Sequence, residues 1–212
     1  MGNMIKNPLL QYGNIPVTSN LLAACYGGLK ESKKKVQALE KAGELIRLRR
    51  GLYVVHPDLS GKNINVPLCA NHIYGPSYVS LHWALRWYGL IPERVFRMTS
   101  VTSKPTKTFE NALGFFDYYK VDAEYLPIGV RMVTEDDVTF LMASPEKALC
   151  DSILYDSYLP AKSVKGLMRY LEEDIRFDMD ELAHFDVEII RECAEKGNKK
   201  LILNNLIKII KQ

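Results

Sequence analysis

The stretch Gly43–Pro57, "GELIRLRRGLYVVHP", decides how the chain is read. Leu45–Leu48 and Leu52–Val55 are two short apolar runs of strand-forming residues. Between them, Arg49-Arg50-Gly51 suits a three-residue hairpin turn with glycine in the left-handed position. Arg47 and Arg49 alternate with Ile46 and Leu48, so the period of two sends the arginines outward and the aliphatics inward. Three arginines at the tip of an apolar hairpin have no use in a core. They make sense where the tip meets an anion.

Upstream, three helical signals precede the hairpin. In "NPLLQYG", Asn7 is a cap, Pro8 the first helical residue and Gly13 a stop. "VTSNLLAACYGG" has Thr18 or Ser19 as its cap and leaves through two glycines. "LKESKKKVQALEKAG" is a longer helix closed by Gly43. At about 100° per residue, Leu29, Ser32, Val36, Leu39 and Gly43 fall on one narrow face. Lys30, Lys33, Lys34, Gln37 and Lys41 form a separate stripe, whose like charges repel unless an anion lies against them. On an isolated helix that stripe would read as a solvated face. Followed by an arginine-tipped hairpin, it gives the order of a winged helix-turn-helix, with the third helix in the major groove and the wing along the phosphates. Guanidinium forks suit phosphates and guanine edges, and lysines suit phosphates at large.

Charge is distributed accordingly. The 212 residues carry a net +3, yet residues 1–57 hold nine Lys/Arg against three Glu, a head of +6 on a body of −3. A first domain of 1–57 that binds DNA and a second of 58–212 is the expected division, with the junction in the Pro-, Gly- and Asn-rich segment near residues 56–70. Cys25, Cys69, Cys150 and Cys193 lie far apart with no C-x-x-C pair, which fits reduced thiols. No apolar run approaches a membrane span. The opening "MGNMIK" has Lys6 where a myristoylation site needs Ser or Thr. A cytoplasmic protein with no membrane partner is expected.

In the body, "PSYVSLHWALRWYGLIP" suggests a buried helix opened by Pro76 and closed by Gly89, with His82 as a packed histidine. "VFRMTSVTS", "TKTFEN", "LGFFDYYKV", "IGVRMVTEDD" and "VTFLMAS" are short strands, with turns at Pro105, Gly114 and Pro127. "SPEKALCDSIL" starts a helix with Ser144 as cap and Pro145 at the first position. Helical patterns then run to the end, so the fold class is α+β with a helical C-terminus. Catalysis leaves little trace. Glu135–Asp137 reads as a turn, the four histidines have no ligand spacing, and there is no nucleophile motif, P-loop or dinucleotide fingerprint. Neither a cofactor nor a metal is expected. Lys104 and Lys107, around a Pro turn among hydroxyls, are further phosphate candidates or an ordinary polar hairpin tip.

Four segments together resemble the AbiEi-like antitoxins, transcriptional regulators of abortive-infection toxin–antitoxin systems. They are "ALEKAGELIRLRRGLYVV", "YVSLHWALRWYGLIPE", "VTSKPTKTFENALGFFDYYKV" and "ASPEKALCDSIL", in the family's order, and the likeness runs from about Thr18 to Leu154. It implies a bacterial repressor that binds inverted repeats in its own promoter. It also implies an antitoxin-type second domain that counteracts a nucleotidyltransferase-like toxin without a stable complex. By position, Lys30, Lys33, Lys34, Gln37, Lys41, Arg47, Arg49 and Arg50, with Lys104 and Lys107, carry over as DNA contacts. The lysine run Lys33–Lys35 departs from the family, where an arginine-type recognition residue is commoner. Two other readings stand beside this one. The first is a regulator whose body senses a ligand or oligomerises. The second is a nuclease-type enzyme using Asp117 and Glu146.

Overall fold

A computed structural model describes residues 7–26, 29–157, 159 and 163–211, with the side chains of residues 29–33 outside that description. A 3-10 turn, Pro8–Tyr12, is capped by Asn7, whose side chain accepts from the Leu9 amide. Strand β1 (Val17–Thr18) leads into α1 (Ser19–Ala24), where Thr18 caps by accepting from the Leu21 amide. Helix α2 (Leu29–Lys41) ends at Gly43, whose φ of +75° is costly for any other residue. The hairpin then follows as β2 (Leu45–Arg49) and β3 (Leu52–Val55). Its turn is tighter than three residues. Arg49 pairs with Leu52, leaving Arg50 and Gly51 (φ +77°) as the loop, and a bulge at Leu48 absorbs the extra residue. The small sheet has the order β1-β3-β2, all antiparallel.

Strand β3 is buried along its whole length because it has a core on each side. Tyr53 and Val55, with Leu45 of β2, pack among Leu9, Val17, Leu22, Val36 and Leu39 of the head. Leu52 and Val54, with Leu48 of β2, point the other way into the large core of the body. Alternation is therefore present but divides the aliphatics between two cores, while Arg47, Arg49 and Arg50 stay exposed. Each of these three body-facing side chains is worth about 1.5–3 kcal/mol when buried. Packing across residue 57 is continuous.

The segment expected as a junction is helical: α3 (Pro57–Ser60) and α4 (Val66–Ile73), the latter capped by Asn65, which accepts from the Leu68 amide. Leu68, Cys69, Ala70 and Ile73 bury α4 against the second sheet. The helix expected from Pro76 to Gly89 is corrected. Ser77–Val79 is a strand, β4, and α5 spans only Leu81–Trp87 with Ser80 before it. Nor is α5 buried all round: Leu81, Ala84 and Leu85 face inward, Trp83 is half-buried and Trp87 is exposed.

The strands of the body fall where the sequence places them: β5 (Met98–Thr102), β6 (Lys107–Asn111), β7 (Gly114–Lys120), β8 (Val130–Glu135) and β9 (Val138–Ala143). Asp136 and Asp137, both with positive φ, make the two-residue β8–β9 turn. The mixed sheet has the order β6-β7-β5-β4-β9-β8. Helices follow: α6 (Pro145–Tyr155), α7 (Val164–Arg169) continuing as a π turn to Asp174, a 3-10 turn (Met179–His184), α8 (Val187–Lys196) and α9 (Lys200–Ile210). Neighbouring residues of β7 show how the layers stack. The Tyr118 hydroxyl donates to the Ala70 carbonyl of α4, whereas the Tyr119 ring meets Tyr155 of α6. Adjacent strand residues point to opposite faces, so α4 covers one face and α6 the other.

One polar cluster sits inside this body. Lys147 and Asp151 of α6 are both fully buried and form an ion pair of 3.4 Å. Asp151 accepts further hydrogen bonds from Tyr78 (3.0 Å), Ser80 (2.6 Å) and Tyr125 (2.8 Å), and Lys147 donates to the Tyr125 carbonyl. Burial, and then the Asp151 charge beside them, raise the Tyr78 and Tyr125 hydroxyls well above the ordinary phenol range.

Removing one member strands its partner. Lys147→Met is expected to cost about 3–5 kcal/mol in urea unfolding, and adding Asp151→Leu should recover a large part of it. A cost under ~1 kcal/mol for the single variant would show that the pair is not a buried pin. The tyrosines give a pH signature. Their folded pKa values lie above the unfolded value near ~10, so their stabilisation is complete below that pH and is lost as pH rises through it. Melting temperature should therefore fall steeply above pH ~10, and less steeply in Tyr125→Phe. An identical slope in that variant would contradict the assignment.

Candidate nucleic-acid interface

The described cations expected to form one surface lie on α2, on the β2–β3 hairpin and around the start of β6. On α2, Lys34, Gln37 and Lys41 are exposed at i, i+3 and i+7, while Val36 and Leu39 are buried beneath them. Lys30 and Lys33 belong to the same helix, but their side chains lie outside the described residues. On the hairpin, Arg49 and Arg50 are exposed at the tip, and Arg49 donates to the Arg50 carbonyl.

Arg47 behaves differently. Its guanidinium donates to the Glu40 carboxylate of α2 at 2.7 Å and lies 6.0 Å from the centre of the Tyr53 ring, its cross-strand partner. The clasp joins β2 to α2. Arg47 is half exposed, so part of its charge is already answered within the protein.

The body adds Lys107 on β6 and Lys104 in the loop that precedes it. Asn111, at the end of that edge strand, donates to the Leu48 carbonyl of the hairpin at 2.9 Å. Lys107 pairs across the strands with Tyr118 and Phe109 with Phe116, so both face the side of the sheet that carries α4 and the head. The Lys107 ammonium lies 4.8 Å from the centre of the Phe109 ring and 5.9 Å from that of Tyr74. Lys104 lies 5.2 Å from the same Tyr74 ring and donates to the Gly75 carbonyl. Both lysines are exposed and converge on one aromatic platform. Burial raises the Tyr118 phenol strongly, and the Cys69 thiol adds to the rise. Tyr74, Phe109 and Asn111 were not legible as site residues, because an aromatic before Gly-Pro and an Asn ending a strand are ordinary turn signals.

Asp117 and Glu146 are each engaged elsewhere. Asp117 accepts two hydrogen bonds from Arg97 and one from Thr108, which hold its carboxyl below the usual range despite burial. Glu146 accepts from the Asp186 amide and lies 3.8 Å from Arg131. Among the described residues no group of three or more His, Cys, Asp or Glu side chains is arranged to hold a metal ion, and no helix is long and apolar enough to cross a membrane.

No protein-family model matches this chain, and no curated protein sequence matches it. What the site can do therefore rests on its own geometry.

The clasp makes a modest demand on stability. Glu40→Gln should cost only about 0.2–1 kcal/mol in chemical unfolding, because the pair is partly exposed and water competes for it. A cost above ~2 kcal/mol would mean that the head depends on this one contact.

Proposed function

We propose that the chain is a DNA-binding transcriptional repressor of the AbiEi-like antitoxin type, with a winged helix-turn-helix head. One observation carries the reading. The order 3-10 turn, β1, α1, α2, β2, β3 with the sheet order β1-β3-β2 supports it, together with the exposure of Lys34, Gln37 and Lys41 on α2 and of Arg49 and Arg50 at the hairpin tip. In a winged helix, α2 is the element that enters the major groove, and the β2–β3 hairpin is the wing that follows the phosphates. Lys34 and Lys41 then supply phosphate contacts, Gln37 can reach a base edge, and Arg49 and Arg50 fork onto the backbone.

In this reading the body does two things. It holds the wing from behind through Leu48, Leu52 and Val54, and it extends the cationic surface through Lys104 and Lys107. The family likeness adds the expectation that the body counteracts a nucleotidyltransferase-like toxin encoded beside it, without a stable complex. The separate engagement of Asp117 and Glu146 supports an interaction role for the body in preference to a nuclease. A cytoplasmic site of action follows from the promoter as target.

Anisotropy titrations of the full chain on a duplex from its own upstream region test the proposal. Each phosphate contact contributes about 0.9 to the slope of log affinity against log salt. Arg49→Ala with Arg50→Ala should therefore flatten that slope by roughly 1.8 and weaken binding at least ~10-fold at low salt. An unchanged slope, or no binding by the unaltered chain, would overturn the assignment of the wing.

A further inference from the structure

A second surface lies on the other side of the body. Helix α5 packs on α6, on the face of the large sheet opposite α4 and the head. Its outer side and the segment that follows it enclose an open cleft of about 520 Å³, lined by Trp83, Arg86, Trp87, Arg94, Val95 and Phe96. Phe96 is 83% exposed and Trp87 40%, with Trp83 half-buried. The tryptophans are one helical turn apart and so share a side of α5. Large rings grouped around one cleft are a poor arrangement for a surface that meets only water.

The charges around the cleft are unequal in a telling way. Arg97 and Arg176 nearby are each engaged by a carboxylate, Asp117 and Glu93. Arg86 and Arg94 are exposed and have no ion-pair partner among the described residues. Among the described residues, the cleft thus offers two guanidiniums outside any ion pair and no carboxylate in its lining. Its walls are also held in place. Leu90 and Ile91 are buried, the Asp178 amide donates to the Leu90 carbonyl at 2.9 Å, and Arg176 clamps Glu93. The Tyr88 hydroxyl donates to the Ala143 carbonyl, and its ring meets Trp87 edge-on. A partner would meet a surface already shaped, which lowers the entropy lost on binding.

We propose that this cleft docks an acidic segment of another protein, whose carboxylates pair with Arg86 and Arg94 while an aliphatic or aromatic side chain enters between Trp83, Trp87 and Phe96. Charge complementarity sets the sign of the partner. Composition sets its class: Trp, Phe and Arg with no lysine is the make-up of a protein–protein anchor site. Nucleic acid fits less well. Two cations supply few phosphate contacts, the rings form a recess and not a track, and the lysine-bearing surface lies across the sheet. The proposal does not depend on DNA binding by the head, and the two can fail separately.

The chain has only two tryptophans, and both line this cleft, so tryptophan emission excited selectively over the tyrosines reports on it alone. A random 12-residue peptide display library would be selected on the full chain, and the enriched peptides titrated by tryptophan emission. Enriched peptides should be net acidic with at least one large apolar residue, and should shift the emission to the blue. They should bind at least 10-fold more weakly to the Arg86→Glu, Arg94→Glu double variant. Phe96→Ser, on a side chain that supports no core, should weaken them similarly and guards against misfolding of the double variant. Neutral or basic winners, winners that both variants retain, or no enrichment at all would overturn the proposal. So would an oligo(dT) 16-mer that produces the blue shift where the acidic peptides do not.

Discussion

Strand β3 has no solvent side, and much of the molecule follows from that constraint. Four successive residues, Leu52 to Val55, are distributed alternately between the head core and the body core. Period-two geometry makes this possible with one short strand, because adjacent side chains leave the backbone in opposite directions. The head contributes few apolar residues of its own, and a domain that small is marginal alone. Sharing the hairpin with the body adds burial to both. It also leaves Arg47, Arg49 and the Arg50-Gly51 turn as parts of the hairpin that neither core covers.

The body has its own anchor in the Lys147–Asp151 pair. A buried ion pair is weak evidence for stability by itself, since desolvation offsets much of the attraction. Here the carboxylate also accepts from Tyr78, Ser80 and Tyr125, so β4, the 122–129 segment and α6 are held by one oxygen pair. The network fixes the relative placement of three elements that hydrophobic contact would let slide. The head meets the body through α4 on one face of the sheet, and the aromatic cleft opens on the other. The proposed DNA-binding surface and the proposed docking cleft are thus separated by one sheet.

Local signals in the sequence were strong where caps and turn residues coincide. Asn7, Thr18, Gly43, Gly51 and Ser144 act as the sequence suggests, and the five strands from Met98 to Ala143 appear in order. Tertiary context overrode the rest. Ser77–Val79 has aromatic and β-branched character but was absorbed into the apolar run that follows, because short strands and helix starts share composition. Helix α4 was hidden by Pro67 and Asn65, residues that mark loops and also helix entrances. The Lys147–Asp151 spacing of four was visible, yet burial of both charges cannot be inferred from spacing. At the candidate interface, the hairpin and the exposure of Lys34, Gln37 and Lys41 on α2 were readable. The Glu40 clasp on Arg47 and the Tyr74 platform depend on contacts between elements, which one-dimensional patterns do not carry.

In the function we propose, duplex DNA lies across α2, the hairpin tip and the Tyr74 platform. Lysine-modification footprinting of the full chain, with and without a duplex from its upstream region, addresses this most directly. Lys34, Lys41, Lys104 and Lys107 should all be protected by the duplex, while Lys165 and Lys208 react at the same rate in both samples. Equal reactivity at the first four, or protection confined to the other two, would contradict the account.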